Sequence, residues 1–206
     1  MRFESGSGVV GAVVLAAGSS SRMGRPKQLL RFGGETLLRR AAHAALGAGC
    51  DPVVVVTGAH AAQTRGELRG LGVIEVENLL WETGMGSSVR AGVEALLEAH
   101  AEAAAVVLML CDQPLVNADV VAGLVAAHRE TGLDVVASQY GGSFGVPALF
   151  GRALFGELTR LEGQAGAKQV IKRHASSAHF VPFHGGEIDV DTPDDFSRLL
   201  STQTGQ

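Results

Sequence analysis

The sequence predicts an α/β fold in which a mostly parallel sheet is covered by helices on both faces. Three observations predict it. VVGAVVLA (9–16), VVVVTG (53–58) and AVVLMLCDQP (105–114) open on unbroken runs of apolar β-formers, as strands buried on both faces do. Segments with helical spacing alternate with such runs across residues 9–138, the rhythm of right-handed crossovers between parallel strands. The 206 residues, 46% of them hydrophobic, suffice for one sizeable core. A single domain over 1–206 is expected, without repeat or linker, and with 1–8 and 202–206 loose.

The elements follow in order. After the first strand a glycine- and serine-rich loop leads to QLLRFGG, a short extended piece ending in a turn. Thr36–Leu46 places apolar residues at 37, 38, 41, 42, 45 and 46, a helical stripe stopped by Gly47 and Gly49. The strand at 53–58 precedes a polar helix near 61–69 and a strand at 73–76. ENLLWETGMGSSVRAG (77–92) enters a helix that sets Val89, Val93, Leu96 and Leu97 on one face. The central strand at 105–114 is followed by a helix from Asn117, a fitting N-cap with Asp119 in the first turn, to His128. DVVASQY (134–140) is a strand. Beyond it come a glycine-rich turn, SFGVPALF, helices near 152–161 and 165–174, a strand at 178–184, and a last helix capped by Thr192 and led by Pro193. Residues 140–190 break the regular pattern and are the expected place for a second substrate.

Composition narrows the function. A net charge of −4 leaves no basic stripe for nucleic acid outside the first loop. No apolar run reaches transmembrane length, and MRFESGSG lacks the apolar core of a signal peptide, so a cytoplasmic protein is expected. Cys50 and Cys111 form no framework and read as reduced core thiols.

The loop after the first strand carries the first chemistry. LAAGSSSRMGRPKQLL (15–30) supplies small residues whose N–H groups can converge on an anion, with Arg22, Arg25 and Lys27 adding charge. From Ser5 to Gly34 there are four basic residues and no acidic one, which points to a phosphate-bearing ligand. Neither GxxxxGK[ST] nor GxGxxG is present. Asp112 should emerge at the carboxyl edge of its strand beside this loop, placed to hold Mg²⁺. Asp189 and Asp191 precede Thr192-Pro193 as D-x-D, and in extended chain both face one side and could share a metal. Capping falls to Thr192, Asp194 and Asp195. Gly84-Met85-Gly86-Ser87-Ser88, at a helix entrance, suits either anion contact or capping, and Trp81, Met85 and Phe144 suit either a pocket or packing. The seven histidines do not cluster as zinc ligands, and no GxSxG or Cys–His signature offers a covalent nucleophile.

The string G-x-x-x-R-M-G-x-P-K-x-L-L closely resembles the N-terminal signature LAAGxSxRMGxPK of nucleotidyltransferases in the MobA-like NTP transferase family, most of all its molybdenum cofactor cytidylyltransferase branch. CDQP (111–114) resembles the family's GDQP, NLLWETGMGSSVRAG its N-x-x-W-x-x-G-M-x-x-S segment, and DVDTPDDF (189–196) its DIDTPEDY ending. The resemblance implies a three-layer αβα Rossmann-like nucleotidyltransferase fold with a mostly parallel mixed sheet. It implies a nucleotide site of Leu15, Ala16, Ala17, Gly18, Ser19, Arg22, Lys27 and Ser88, with Ala16–Gly18 at the base and Arg22 and Lys27 at the triphosphate. Arg22, Lys27 and Asp112 would be catalytic, and Asp112 with Asp189 or Asp191 would hold Mg²⁺. The implied reaction moves CMP from CTP to the phosphate of molybdopterin and releases pyrophosphate. Guanylyl-transferring relatives tend to carry LAGG, so Ala17 favours CTP over GTP. Two segments depart from the family pattern: Gly145-Val146-Pro147 lacks its polar residue, and Gly163-Gln164-Ala165-Gly166-Ala167 lacks its carboxylate. Transfer to another phosphorylated acceptor and a non-catalytic cofactor carrier stay open as alternatives, with a molybdoenzyme or its chaperone as a further partner.

Overall fold

The structure is a computed structural model, described for residues 8–203. The loose ends expected at 1–8 and 202–206 lie outside those residues except for Gly8, Thr202 and Gln203, and the last two belong to a helix.

β1 (Val10–Leu15) is the axis of the fold, with all six residues buried. It pairs in parallel with β4 (Val53–Thr57) and with β6 (Ala105–Leu110). β5 (Ile74–Glu77) extends the sheet beyond β4. β8 (Ser143–Gly151) lies antiparallel between β6 and β7 (Val135–Tyr140), and β9 (Ala178–Pro182) runs parallel to β7. The order β5-β4-β1-β6-β8-β7-β9 makes seven strands with one reversed. A separate hairpin, β2 (Arg31–Phe32) and β3 (Glu35–Thr36), turns through Gly33 and Gly34, both at positive φ as a tight two-residue turn requires.

Side chains on β1 alternate between two layers. Ala12 and Val14 pack under α1 (Leu37–Gly47) and α4 (Ala118–Thr131), which contribute Leu38, Ala42, Leu124 and Val125. Val13 and Leu15 face α3 (Met85–Ala99), α5 (Phe155–Leu158) and α6 (Ala167–Arg173), through Val89, Val93, Leu158 and Ile171. These are the two outer layers of an αβα sandwich. The Thr36 hydroxyl accepts from Arg39 N–H to begin α1, and the Asn117 side chain accepts from Val120 N–H to begin α4.

Local departures have local causes. The polar helix expected near 61–69 is α2 (Ala61–Thr64) followed by a 3-10 turn, and the one near 152–161 is a 3-10 turn running into α5. SFGVPALF is a central strand despite its proline. The β7–β8 register jumps from Ala137↔Ala148 to Ser138↔Gly145, leaving Val146 and Pro147 out of the ladder. The bulge spares Pro147 an N–H it lacks. The carbonyls it frees accept from Ser138 Oγ (Pro147 O, 2.7 Å) and Tyr140 Oη (Val146 O, 3.0 Å). Residues 184–192 form turns and irregular chain, so the D-x-D pair is not on a strand.

From β1 the chain builds outward through β4 to β5, then returns to place β6 on the other side of β1. The crevice outside the carboxyl ends of β1 and β6 is therefore the switch point where α/β sheets bind ligands. α7 (Pro193–Gln203) closes this end. Val190 and Leu199 join Met23, Leu30, Phe32 and Leu37 in a third apolar cluster that ties the C-terminal segment to the first loop. Among the described residues no helix is long and apolar enough to cross a membrane.

Candidate active site

The loop after β1 is fixed from within by Gln28, which is fully buried. Its amide donates to Ala16 O (2.8 Å) and Gly18 O (2.9 Å), while its carbonyl accepts from Ser20 Oγ (3.2 Å). Ser20, at φ 55°, also accepts from Lys27 N–H at its hydroxyl and from Met23 N–H at its carbonyl. His60 Nε2 lies 2.9 Å from Ser19 O and supports the loop's outer turn. The loop's conformation is thus held by protein groups. Gly18 is different: a Cβ built there meets nothing within 4 Å. No neighbour in this chain demands glycine at that point, so the space it leaves lies open to the cleft.

Lys27 is the hinge of the site. Its ammonium donates to Asp112 Oδ2 and to Asp191 Oδ1 (3.0 Å), and Arg22 Nη2 reaches Asp191 Oδ2 at 2.9 Å. The Lys27 and Asp112 side chains are only 15% and 13% exposed, so this pair is shielded in a way the Arg22 contact, 69% exposed on the arginine, is not. Burial alone would lower the Lys27 pKa, but Asp112, by charge and hydrogen bond, with Asp191 hold it above the usual lysine value. Asp189 sits nearby with its carboxyl pushed up to about 6, first by burial and then by the charges of Asp112 and Asp191.

The D-x-D carboxylates diverge. Val190 N–H donates to Asp112 O (2.9 Å) and its side chain is wholly buried, which sets Asp191 toward Lys27 and Asp189 toward a different cavity. The expected pair, Asp112 with Asp189 or Asp191, calls for two carboxylates and not a larger cluster, and among the described residues no three His, Cys, Asp or Glu groups come together as a metal site. A smaller donor set does fit a divalent cation. Asp112 Oδ1 is buried without a hydrogen-bond partner among the described residues, and the cleft beside it is open. Mg²⁺ needs only one or two carboxylates when phosphates and water complete its shell.

Two cavities flank this cluster. The first, about 330 Å³, is lined by Leu15, Ala16, Ala17, Gly18, Ser19 and Lys27, together with Ser88, Trp81 and Asp112. The second, about 580 Å³, lies over β7, β8 and α6. Leu15, Met85, Leu110 and Gln164 line both. Asn78 fixes the entrance of α3 by donating to Ser87 Oγ and Ser88 Oγ while accepting from Leu80 N–H. The glycines there serve packing: a Cβ on Gly86 would lie 2.8 Å from the backbone of Leu161 and Glu162, and Gly86 N–H already donates to Gly163 O.

A family profile described as the MobA-like NTP transferase domain matches residues 12–178. The chain belongs to this family. It is 41% identical over 123 residues to nicotine blue oxidoreductase of Paenarthrobacter nicotinovorans, covering 58% of this chain and 57% of that protein. The purine catabolism protein PucB of Bacillus subtilis is 30% identical over 91% of this chain and 94% of its own length. A probable molybdenum cofactor guanylyltransferase of Opitutus terrae is 40% identical over 54% of this chain and 52% of the relative. The chain thus spans little more than half of the first and third of these. Among solved structures, Rv0371c of Mycobacterium tuberculosis H37Rv superposes with a TM-score of 0.79 at 33% identity, covering 95% of this chain and 99% of that one. A manganese complex of Rv0371c superposes with a TM-score of 0.73 at 33% identity, covering 94% and 99% of the two chains.

Of the residues read from the loop signature of this NTP transferase domain, Leu15, Ala16, Ala17, Gly18, Ser19 and Lys27 line the first cavity, whereas Arg22 is outside its lining and contacts Asp191. Trp81 and Met85 line the first cavity, whereas Phe144 packs on Phe180 with ring centroids 5.2 Å apart. Arg25 stacks over Phe196 at 5.9 Å and belongs to the α7 contact. Cys50 and Cys111 are free and buried, and burial raises their thiols to about 11 and about 12. Sequence reasoning missed Gln28, Asn78 and His60. The only signal for Gln28 was a polar residue amid KQLL, which looks the same whether it faces solvent or pins a loop.

Proposed function

We propose that the protein is a cytoplasmic cytidylyltransferase of one domain, residues 1–206, that transfers CMP from CTP to the phosphate of molybdenum-loaded molybdopterin. The observation that carries this reading is the meeting of Lys27 with Asp112 and Asp191 beside the cleft lined by Leu15–Ser19 and Ser88. Ala16, Ala17 and Gly18 face the base in this reading, Ser88 the nucleoside, and Arg22 and Lys27 the triphosphate. Ala17 is nine-tenths or more buried in the cleft wall, and its methyl narrows the space beside the base in favour of cytidine over guanosine.

The chemistry asks little of acid or base. An oxygen of the acceptor's phosphate monoester attacks the α-phosphorus, the bond from that phosphorus to the bridging oxygen of the β-phosphate breaks, and pyrophosphate leaves with the electron pair. The nucleophile is already anionic near neutral pH, which accounts for a site without a catalytic histidine. Lys27 and Arg22 exchange their carboxylate contacts for phosphate oxygens and neutralise charge as it moves to the leaving group. Mg²⁺ held by Asp112 with Asp191 or Asp189 would supply further charge neutralisation to the same phosphates. A target molybdoenzyme or its chaperone would receive the product.

Two relatives favour other readings. The match to a probable molybdenum cofactor guanylyltransferase favours GTP as donor, and the 41% identity to an enzyme named nicotine blue oxidoreductase favours a redox reaction. The test is pyrophosphate release with Mg²⁺ and each of CTP, GTP, ATP and UTP, with and without molybdenum-loaded molybdopterin. Release that needs both CTP and the pterin is expected. Release with GTP alone moves the assignment to the guanylyl reaction. No release with any nucleotide, together with consumption of a reduced nicotinamide, would replace transfer by reduction.

A further inference from the structure

The larger cavity has a charge arrangement that the transfer reaction by itself does not require. α6 ends in a basic run, Lys172 and Arg173 followed by His174, with Lys168 one turn earlier. Arg173 and His174 both contact Glu157, at 2.6 and 2.8 Å, on the side of α6 facing α5. Lys168 and Lys172, at i and i+4, share the opposite face and line the larger cavity. Neither pairs with a carboxylate among the described residues; Lys168 Nζ only donates to Ser143 Oγ at 3.3 Å. These two lysines do not line the smaller cleft. The wall common to both cavities is neutral, made of Leu15, Met85, Leu110 and Gln164. The rest of the lining includes Val146, Ala167 and the half-buried ring of Tyr140, with the carboxylates of Glu187 and Asp189.

We propose that the larger cavity binds an acceptor with two separate anionic groups: its reacting phosphate lies at the neutral common wall, and a second anion is held by Lys168 and Lys172. This rests on reading the smaller cleft as the nucleotide site. The volume, about 580 Å³, suits a molecule of heterocycle size, and the apolar lining suits its body. The common wall adds no charge of its own where the two phosphates approach. The two lysines then decide which phosphates are accepted, favouring a doubly anionic acceptor over a simple alkyl phosphate.

The probe is molybdenum-loaded molybdopterin, which carries a phosphate and an anionic oxo-molybdenum dithiolene. Its affinity, and separately that of CTP, is measured by anaerobic calorimetry for the wild type, for Lys168→Ala/Lys172→Ala and for Lys168→Arg/Lys172→Arg. The double alanine variant should bind the pterin about tenfold more weakly, the double arginine variant should restore binding, and CTP affinity should be unchanged in both. Equal pterin affinity in wild type and double alanine variant overturns the proposal, as does a wild type that fails to bind the pterin. Pyrophosphate release is scored apart from binding. A lysine-dependent affinity without release keeps the cavity assignment and removes nucleotidyl transfer.

Discussion

Gly18 and Lys27 lie in one loop, yet substitution should separate folding from chemistry in opposite ways. Gly18→Ala places a methyl where no protein atom stands within 4 Å, so the melting temperature should match the wild type. The methyl would intrude on the nucleotide, and KM for CTP should rise by about tenfold if displacement reaches the reacting phosphate. An unchanged KM would remove Gly18 from the nucleotide site. Lys27→Ala and Asp112→Ala should each reduce turnover by about tenfold or more, as loss of a charge aimed at moving phosphate charge does. Circular dichroism should stay native, because either change leaves the apolar layers untouched. Near wild-type turnover in one of these variants would exclude that residue from the reaction. Gln28 makes a contrasting case, since its two donors satisfy loop carbonyls and its contribution is to shape.

At the scale of elements, the start of α7 governs the carboxylate that meets the loop. Thr192 N–H and Oγ1 donate to Asp195 Oδ2, at 2.8 and 2.7 Å, while Asp195 N–H donates to Thr192 Oγ1 at 3.2 Å. This reciprocal cap also takes the N–H of Asp191 at 3.3 Å, so it orders the residue that contacts Lys27. The side-chain and backbone hydrogen bonds from Thr192 hold the Asp195 carboxyl below the usual aspartate range. A lowered folded-state pKa contributes stability above the ordinary value, and that contribution is lost as pH falls through the folded value. Thermal midpoints of wild type and Asp195→Asn should therefore differ near pH 7 and converge as the medium is acidified below pH of about 4. A constant difference across that window would mean the cap does not depend on the carboxylate's charge.

For the whole molecule, the sheet order places a cationic loop and a strand-end carboxylate on adjacent strands β1 and β6, with two cavities opening beside them. The fold supplies the site's walls before any ligand binds, so removing a divalent cation should stop catalysis without unfolding the chain. Chelation with EDTA should abolish pyrophosphate release, leave the melting temperature within the wild-type range, and be reversed by added Mg²⁺. Chelation that lowered the melting temperature sharply would instead make the cation part of the fold.

The sequence by itself determined where β1, β4, β6 and β7 run (though β6 stops at Leu110, short of the expected 114), the caps at Asn117 and Thr192, and the family to which its loop belongs. Those properties depend on neighbours in the chain: apolar runs, a period of three to four residues, and turn chemistry act over a few positions. Tertiary structure alone decided that Asp189 and Asp191 part company, that Gln28 pins the loop, that Arg25 stacks on α7, and that SFGVPALF enters the sheet through a bulge. Lys27 meets carboxylates 85 and 164 positions away. Such meetings are set by the apolar cluster of Met23, Phe32, Val190 and Leu199 and by the order of strands. The pattern of a segment tells which face is buried, but only the packed chain tells against what.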